Sequence, residues 1–268
     1  MELHLILGFS AALFIGITLG LIGGGGSTLT LPVLVYVLGI DPILATAYSL
    51  FVVGSTSLVG TISYLNKKLV DYKAALVFSI PSFTAVFLTR KFLVPSLPDP
   101  LLHVGEFAVS KNLGIMIFFA CIMLAASVAM IRNPKPRNEG EAGKPQFNFP
   151  LIAGEGVIVG LITGVVGAGG GFLIIPALVI LAKLPMKIAV GTSLVIIAAK
   201  SLIGFLGDLS TQDIDWPFLL LFTLISILGI FIGSTLSKSL DEKILKTAFG
   251  WFVLLMGISI IAMELSAV

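Results

Sequence analysis

Two glycine runs are the residues of this chain best suited to chemistry. The first is Gly23, Gly24, Gly25 and Gly26, followed by Ser27 and Thr28. The second is Gly167, then Ala168, then Gly169, Gly170 and Gly171. Consecutive glycines make poor helix, so each run should break one. A helix that restarts after the break, at about Ser27 and Phe172, turns its unpaired N–H groups and positive dipole end toward the gap. That arrangement suits an anion. Glycine has no Cβ, so a ligand could come close to the backbone at Gly24, Gly25, Gly26, Gly169, Gly170 and Gly171. Ser27 and Thr28 would add hydroxyl donors. A glycine run before Ser-Thr also suggests a phosphate loop. The lysine such a loop places before Ser/Thr is absent, which rejects nucleotide binding of that kind.

A second group of candidates follows each run. Ser193, Ile197, Lys200 and Gly204 share one helical face, and their counterparts in the first half are Ser49, Val53, Thr56 and Gly60. Lys200 lies well inside an apolar segment. An ionisable side chain in such a place is a functional candidate, and beside an anion it would neutralise charge. The bland alternative is that Lys200 snorkels to an interface, because Gly207 ends the segment two turns later. Thr192 and Ser193 either donate to a substrate or bond back to their own helix. Glu155 either sits at an interface or, if buried, couples protons. Gly16 with Gly20, and Gly160 with Gly164, fit close helix packing better than ligand binding. Asp71 and Asp215 precede aromatic residues and read as helix caps.

The elements that must position these residues are membrane helices. Of 268 residues, 57% are hydrophobic and 11% charged, and mean hydropathy is +1.12. Soluble domains carry about 25% charged residues. Apolar segments run at about 3–22, 27–39, 43–65, 74–94, 112–131, 151–166, 172–182, 187–207, 217–237 and 244–263. The polar, Pro- and Gly-rich stretch at 132–149 reads as a linker between an N-terminal repeat, 1–131, and a C-terminal repeat, 150–268, of one membrane domain.

The halves match at an offset of 144 residues: Gly16, Gly20, Gly23, Gly25 and Gly26 fall on Gly160, Gly164, Gly167, Gly169 and Gly170. Pro32 falls on Pro176, Ser49-Leu50 on Ser193-Leu194, and Asp71 on Asp215. An internal duplication follows. Matching loops carry opposite charge bias. Asp41 in 39–42 faces Lys183 and Lys187 in 183–187, and the lysines of 66–73 face the three aspartates of 207–215. Lysine and arginine mark the cytoplasmic side. The two repeats are therefore expected to be inverted, each a Gly-broken helical hairpin plus three transmembrane helices in an all-α polytopic membrane protein. Loops 66–73, 132–149, 183–187 and 238–246 would lie in the cytoplasm. Loops 39–42, 90–111 and 208–215 and both termini would lie outside. Arg90, Lys91 and Lys111 are the charges on the wrong side. The second arms, 27–39 and 172–182, are short for a full crossing, which favours re-entrant hairpins whose tips meet near the midplane. The start of the chain lacks a basic n-region and reads as a retained helix.

These residues also resemble a family. Gly20-x-x-Gly-Gly-Gly-Gly26 followed by Pro32, Gly164-x-x-Gly-Ala-Gly-Gly-Gly171 followed by Pro176, and Gly191-Thr-Ser-Leu194 resemble the TauE/SafE (sulfite exporter, TSUP) permeases. The resemblance covers both halves. It implies transport of small sulfur-containing anions such as sulfite, sulfonates or sulfoacetate, in either direction. The departure is Ala47-Tyr48-Ser49-Leu50, where the pattern prefers Gly/Ala-Thr-Ser-Leu.

The expected function is thus a secondary transporter of small anions by alternating access, in the inner (plasma) membrane of a prokaryote. Its partners would be a small anionic substrate, the lipid bilayer and protons for coupling, with a homo-oligomer left open. The alternatives are a cation-coupled carrier or a channel for another small solute. No cofactor is expected. A lone Cys121 supports neither a disulfide nor a metal site. Net charge of +2 without a basic stripe argues against nucleic acid. An intramembrane enzyme is disfavoured, because His4 and His103 lie outside the spans and no His-Glu-x-x-His or paired intramembrane aspartate occurs.

Overall fold

A computed structural model of the chain describes residues 2–104, 107–132, 149–180, 182, 184–237 and 242–266. Its first half comprises α1 (Glu2–Ile22), α2 (Ser27–Pro32, extended by a π-helical stretch Val33–Val37), α3 (Pro42–Asn66) and α4 (Tyr72–Leu88). A π-helical stretch, Thr89–Leu93, carries α4 on into the short α5 (Val94–Ser96). A ribbon of two antiparallel strands, β1 (Leu102–Val104) and β2 (Phe107–Val109), precedes α6 (Lys111–Arg132). The second half comprises α7 (Phe149–Val166), α8 (Gly171–Ile180), α9 (Met186–Asp208), α10 (Trp216–Leu236) and α11 (Glu242–Ser266).

The protein is an all-α polytopic membrane protein. Among the described residues five helices are long and apolar enough to cross a bilayer: Pro42–Asn66, Tyr72–Ser96, Lys111–Val128, Met186–Asp208 and Trp216–Leu236. α10 shows why such a helix belongs in lipid. It buries Leu219, Phe222, Ser226, Gly229 and Gly233 against protein, and exposes Leu220, Leu224, Leu228 and Phe231 on the other side. A helix that is apolar on both faces needs an apolar solvent on the outer one. The linker expected at 132–149 falls outside the described residues except for its ends, Arg132 and Phe149, which belong to α6 and α7. The expected loop 238–246 is described only in part, where α11 begins.

Three aspartates start helices. Asp41 accepts from the N–H groups of Ile43 and Leu44, Asp71 from Ala74 and Asp215 from Phe218. Each satisfies donors that the first turn of a helix leaves open.

At the centre α3 packs along α9. The start of α3 lies by the end of α9, where Arg90 bonds both Thr46 and Asp208. The end of α3 lies by the start of α9, where a Cβ on Gly191 would strike the carbonyl of Leu69 and the ring of Tyr64. The two helices therefore run antiparallel, and the molecule has two poles, one at Asp208 and one at Lys67. α1 lies along α10 in the same direction, with Gly16 against Ser226 and Gly229 and Gly20 against Ile230 and Gly233. α7 lies along α4 in the same way, with Gly156 against Phe78, Gly160 against Ser82 and Gly164 against Thr89. Gly16, Gly20, Gly156 and Gly160 bring backbone against backbone and Gly164 makes room for the Thr89 side chain, as the packing interpretation expects.

Candidate functional site

Each glycine run ends a helix and turns the chain back on itself. Gly23 adopts φ +69° and Gly167 φ +70°. The Gly23 N–H donates to the Leu19 carbonyl at 2.8 Å and the Gly167 N–H to the Thr163 carbonyl at 2.8 Å. This is the left-handed C-terminal cap, open to glycine because it has no Cβ to clash. The chain then returns as α2 with its π-helical extension or as α8. Ser27–Val37 spans about 17 Å and Gly171–Ile180 about 15 Å. Both are too short to cross a hydrocarbon core of about 30 Å.

The two runs meet backbone to backbone. A Cβ placed on Gly24 would overlap the Cα and carbonyl of Gly171, and one on Gly171 would overlap Gly24 and the side chain of Ile197. Ile197 is halfway along α9, so the meeting point is at the centre of the molecule. Gly169 packs on Val53, the middle of α3, and a Cβ placed on it would stand 3.4 Å from the Ser27 side chain. Ser27 in turn donates its hydroxyl to the Gly24 carbonyl at 2.6 Å. Gly25 and Gly26 complete the first turn after the break, and Gly26 packs on α1 at Leu19. Thr28 is buried on the next turn.

Lys200 lies at this centre, fully buried, and does not reach an interface. Its Nζ donates to Thr163 Oγ1 at 3.0 Å. A Cβ on Gly170 would overlap both that ammonium and the Thr163 methyl. Lys200 thus lies across the second glycine break, held by the last turn of α7. Among the described residues no carboxylate pairs with it. A buried charge without a counter-charge is costly, and an anion at the breaks would relieve that cost. The counterpart of Lys200, Thr56, is buried nearby in α3 with no partner for its hydroxyl among the described residues, and the same holds for Ser49.

The other candidates are placed differently. The Ser193 hydroxyl bonds back to the Val190 carbonyl at 2.8 Å, although it lies 3.1 Å from where a Cβ on Gly23 would stand. The Thr192 hydroxyl accepts the N–H of Asp71 at 2.9 Å. Its counterpart explains the departure at Tyr48. The Tyr48 hydroxyl accepts the N–H of Asp215 at 2.8 Å, the same bond in the other half. Glu155 is half-buried on α7, twelve residues before Gly167 and so about 18 Å along the axis. The structure does not bring it to the breaks.

Sequence reasoning missed a buried ion pair. Arg90 is fully buried and binds Asp208 with Nη2–Oδ2 2.7 Å and its Nε at 2.9 and 2.8 Å from the two carboxylate oxygens. It also donates to the Gly164 carbonyl at 3.3 Å and to Thr46 Oγ1 at 2.9 Å. The sequence assigned Arg90 to a loop at 90–111. Helix in fact continues to Ser96, which places Arg90 inside it. The signal was its sign: Arg90 was one of the positive charges on the wrong side, and a paired, buried arginine is not a loop charge. Thr163 was missed too, and only its place below Lys200 reveals it.

A cavity of about 340 Å³ opens at the Lys67 pole, lined among others by Tyr64, Lys67, Met186, Lys187, Val190 and Ser237. The Val190 side chain also packs on Gly23. The cavity floor therefore touches the first glycine break.

Against known proteins, the family profile described as Sulfite exporter TauE/SafE matches residues 8–260. A probable membrane transporter protein of Xylella fastidiosa (strain 9a5c) is 27% identical over 251 residues, 92% of this chain and 91% of the relative. The probable membrane transporter protein YunE of Bacillus subtilis (strain 168) is 27% identical over 238 residues, 83% of each chain. YjnA of the same organism, also a probable membrane transporter protein, is 28% identical over 252 residues, 93% of this chain and 96% of the relative.

Proposed function

The chain belongs to the sulfite exporter TauE/SafE family and is a membrane transporter, and from that premise we propose that it carries small sulfur-containing anions such as sulfite or sulfonates by alternating access. The observation that supports this reading best is the meeting of two glycine breaks at the centre, with Lys200 buried across the second of them. Lys200 supplies the positive charge. Backbone N–H groups around Gly24–Gly26 and Gly169–Gly171 supply donors in this proposal, and the hydroxyls of Ser27, Thr28, Ser49 and Ser193 add to them once Ser27 and Ser193 give up their bonds to the Gly24 and Val190 carbonyls. Thr192 positions the start of α4. Substrate binds better where charge, dipole and donors converge in a dry site.

The halves are related by inversion in this proposal. The antiparallel course of α3 and α9, which are counterparts in the duplication, supports it, as do the reciprocal pairings of α1 with α10 and α7 with α4. The Lys67 pole is cytoplasmic by its lysines, the termini are outside, and the membrane is the inner membrane of a prokaryote. Glu155 is the candidate for proton coupling.

Flux of sulfite, sulfonates, sulfate and thiosulfate into liposomes, with and without a pH gradient, tests the function. Saturable flux of one of them, reduced at least about tenfold by Lys200→Ala, is the expected result. Absence of flux for all four, in vesicles holding folded protein, overturns the substrate class.

A further inference from the structure

We propose that the cavity between the end of α3, the start of α9 and the end of α10 binds a small organic anion, a charged head on an apolar body of a few carbons. Its role as a stage on the way to the glycine breaks rests on the transport reading above; its capacity to bind does not.

The walls carry this assignment. Lys67 is fixed in place: its Nζ donates to the Ser234 carbonyl at 3.2 Å and stands 5.0 Å from the centre of the Tyr64 ring. Lys187, on the first turn of α9, is half-buried at the same cavity, and no described carboxylate pairs with it. Two ammonium groups on one cavity favour a negative charge. The remaining wall is mostly apolar, with Leu69, Met186 and Val190 prominent. The volume of about 340 Å³ lies in the range of small-molecule sites, which pair apolar walls with a few polar groups. A bare inorganic oxyanion would leave those apolar walls in contact with water. An anion with a short carbon body would cover them.

The site is one-sided and connected. At the other pole the counterparts of Lys67 and Lys187 are Thr211 and Ile43, so the repeat does not reproduce it. Two wall residues touch the first break. Val190 packs on Gly23, and the Tyr64 hydroxyl donates to the Gly20 carbonyl at 3.0 Å, in the last turn before it. An anion lodged here is one side chain away from the backbone that turns at Gly23.

The test uses full-length protein in nanodiscs of phosphatidylcholine, with Leu69→Cys as a reporter in a Cys121→Ser background. Maleimide labelling is followed with and without ethanesulfonate. Saturating ethanesulfonate is expected to slow labelling about fivefold or more, and Lys187→Gln to raise the half-protecting concentration about tenfold. If Lys67→Gln fails to fold for want of its bond to Ser234, Lys187→Gln alone decides. Slowing no greater than with sodium chloride overturns the proposal, as does protection that survives both lysine replacements. Slow labelling that appears only with phosphatidylglycerol, without ethanesulfonate, overturns it in favour of a lipid headgroup. Protection in a protein that shows no flux of the four sulfur anions would leave this site standing and remove the proposed substrate class instead.

Discussion

Replacing Asp208 by asparagine should unfold the protein more readily than its conservative shape suggests. The carboxylate of Asp208 holds Arg90 through three contacts between 2.7 and 2.9 Å, and both groups are buried, at 0% and 4% exposure. Asparagine keeps the size and removes the charge. Arg90 would then keep only neutral acceptors: the asparagine amide oxygen, the Gly164 carbonyl and the Thr46 hydroxyl. Leaving one member of a buried pair uncompensated costs about 3–5 kcal/mol. Removing both charges should cost less, provided that the Gly164 carbonyl keeps a donor. The other half shows how. The counterparts of Asp208 and Arg90 are Tyr64 and Ser234, and the Tyr64 hydroxyl bonds the Gly20 carbonyl directly. The double variant Arg90→Ser/Asp208→Tyr should therefore lie within about 1–2 kcal/mol of the parent, well above Asp208→Asn. Titration with SDS in detergent micelles, followed by helix content, measures all three. A single variant Asp208→Asn within about 1 kcal/mol of the parent would refute the buried pair and with it the cap on α7.

Tyr48→Phe and Thr192→Val each remove one acceptor from an aspartate N–H in matching places. Each should cost about 1–3 kcal/mol in the same titration, and a loss for only one of them would break the equivalence. Gly24→Ala should abolish folded protein, because its Cβ overlaps the Gly171 backbone, whereas Gly154→Ala meets open space in α7 and should stabilise by about 0.5–1 kcal/mol. Yields of monodisperse protein separate the two, and equal behaviour would show that the breaks do not touch. Glu155→Gln should leave substrate flux intact but remove its dependence on a pH gradient, measured in liposomes with a proton-sensitive dye.

The duplication and the two breaks were legible because glycine acts locally. A run of glycines ends a helix wherever it stands, and a matching run 144 residues later does the same. The meeting of Gly24 with Gly171 could be expected from the symmetry, but its tightness could not, since it depends on how α3 and α9 set the two hairpins. Lys200 was legible as a candidate and left open between burial and snorkelling, because sequence gives the distance to Gly207 and not the direction of the side chain. Thr163 decides that direction. Arg90 was hidden by a boundary: a π-helical stretch at Thr89–Leu93 carries the helix past the point where the apolar run ends. Tyr48 stood out as a departure from the pattern, and the structure gives its phenol the same role as the Thr192 hydroxyl, an acceptor for an aspartate N–H.

The two halves solve the same problems with different chemistry, and the differences make the poles unequal. Both hairpins present a glycine carbonyl that the broken helix leaves without a partner. At the Lys67 pole a neutral hydroxyl, Tyr64, satisfies Gly20 and leaves room for a cavity beside it. At the Asp208 pole the same place holds an acid, which cannot donate when ionised, so Arg90 crosses from α4 to satisfy Gly164 and fills the space. A neutral bond in contact with a cavity can be exchanged for one to water at little cost, whereas a buried ion pair cannot be parted without hydrating both charges. In a carrier that opens alternately to its two sides, the Asp208 pole is therefore the harder one to open. Variants that weaken the ion pair without leaving a lone charge, Arg90→Ser/Asp208→Tyr above all, should speed the step that opens that pole. They should raise exchange in a transporter limited by that step and leave substrate affinity unchanged. An unchanged exchange rate, with affinity lowered, would place the ion pair in the binding site instead of at a gate.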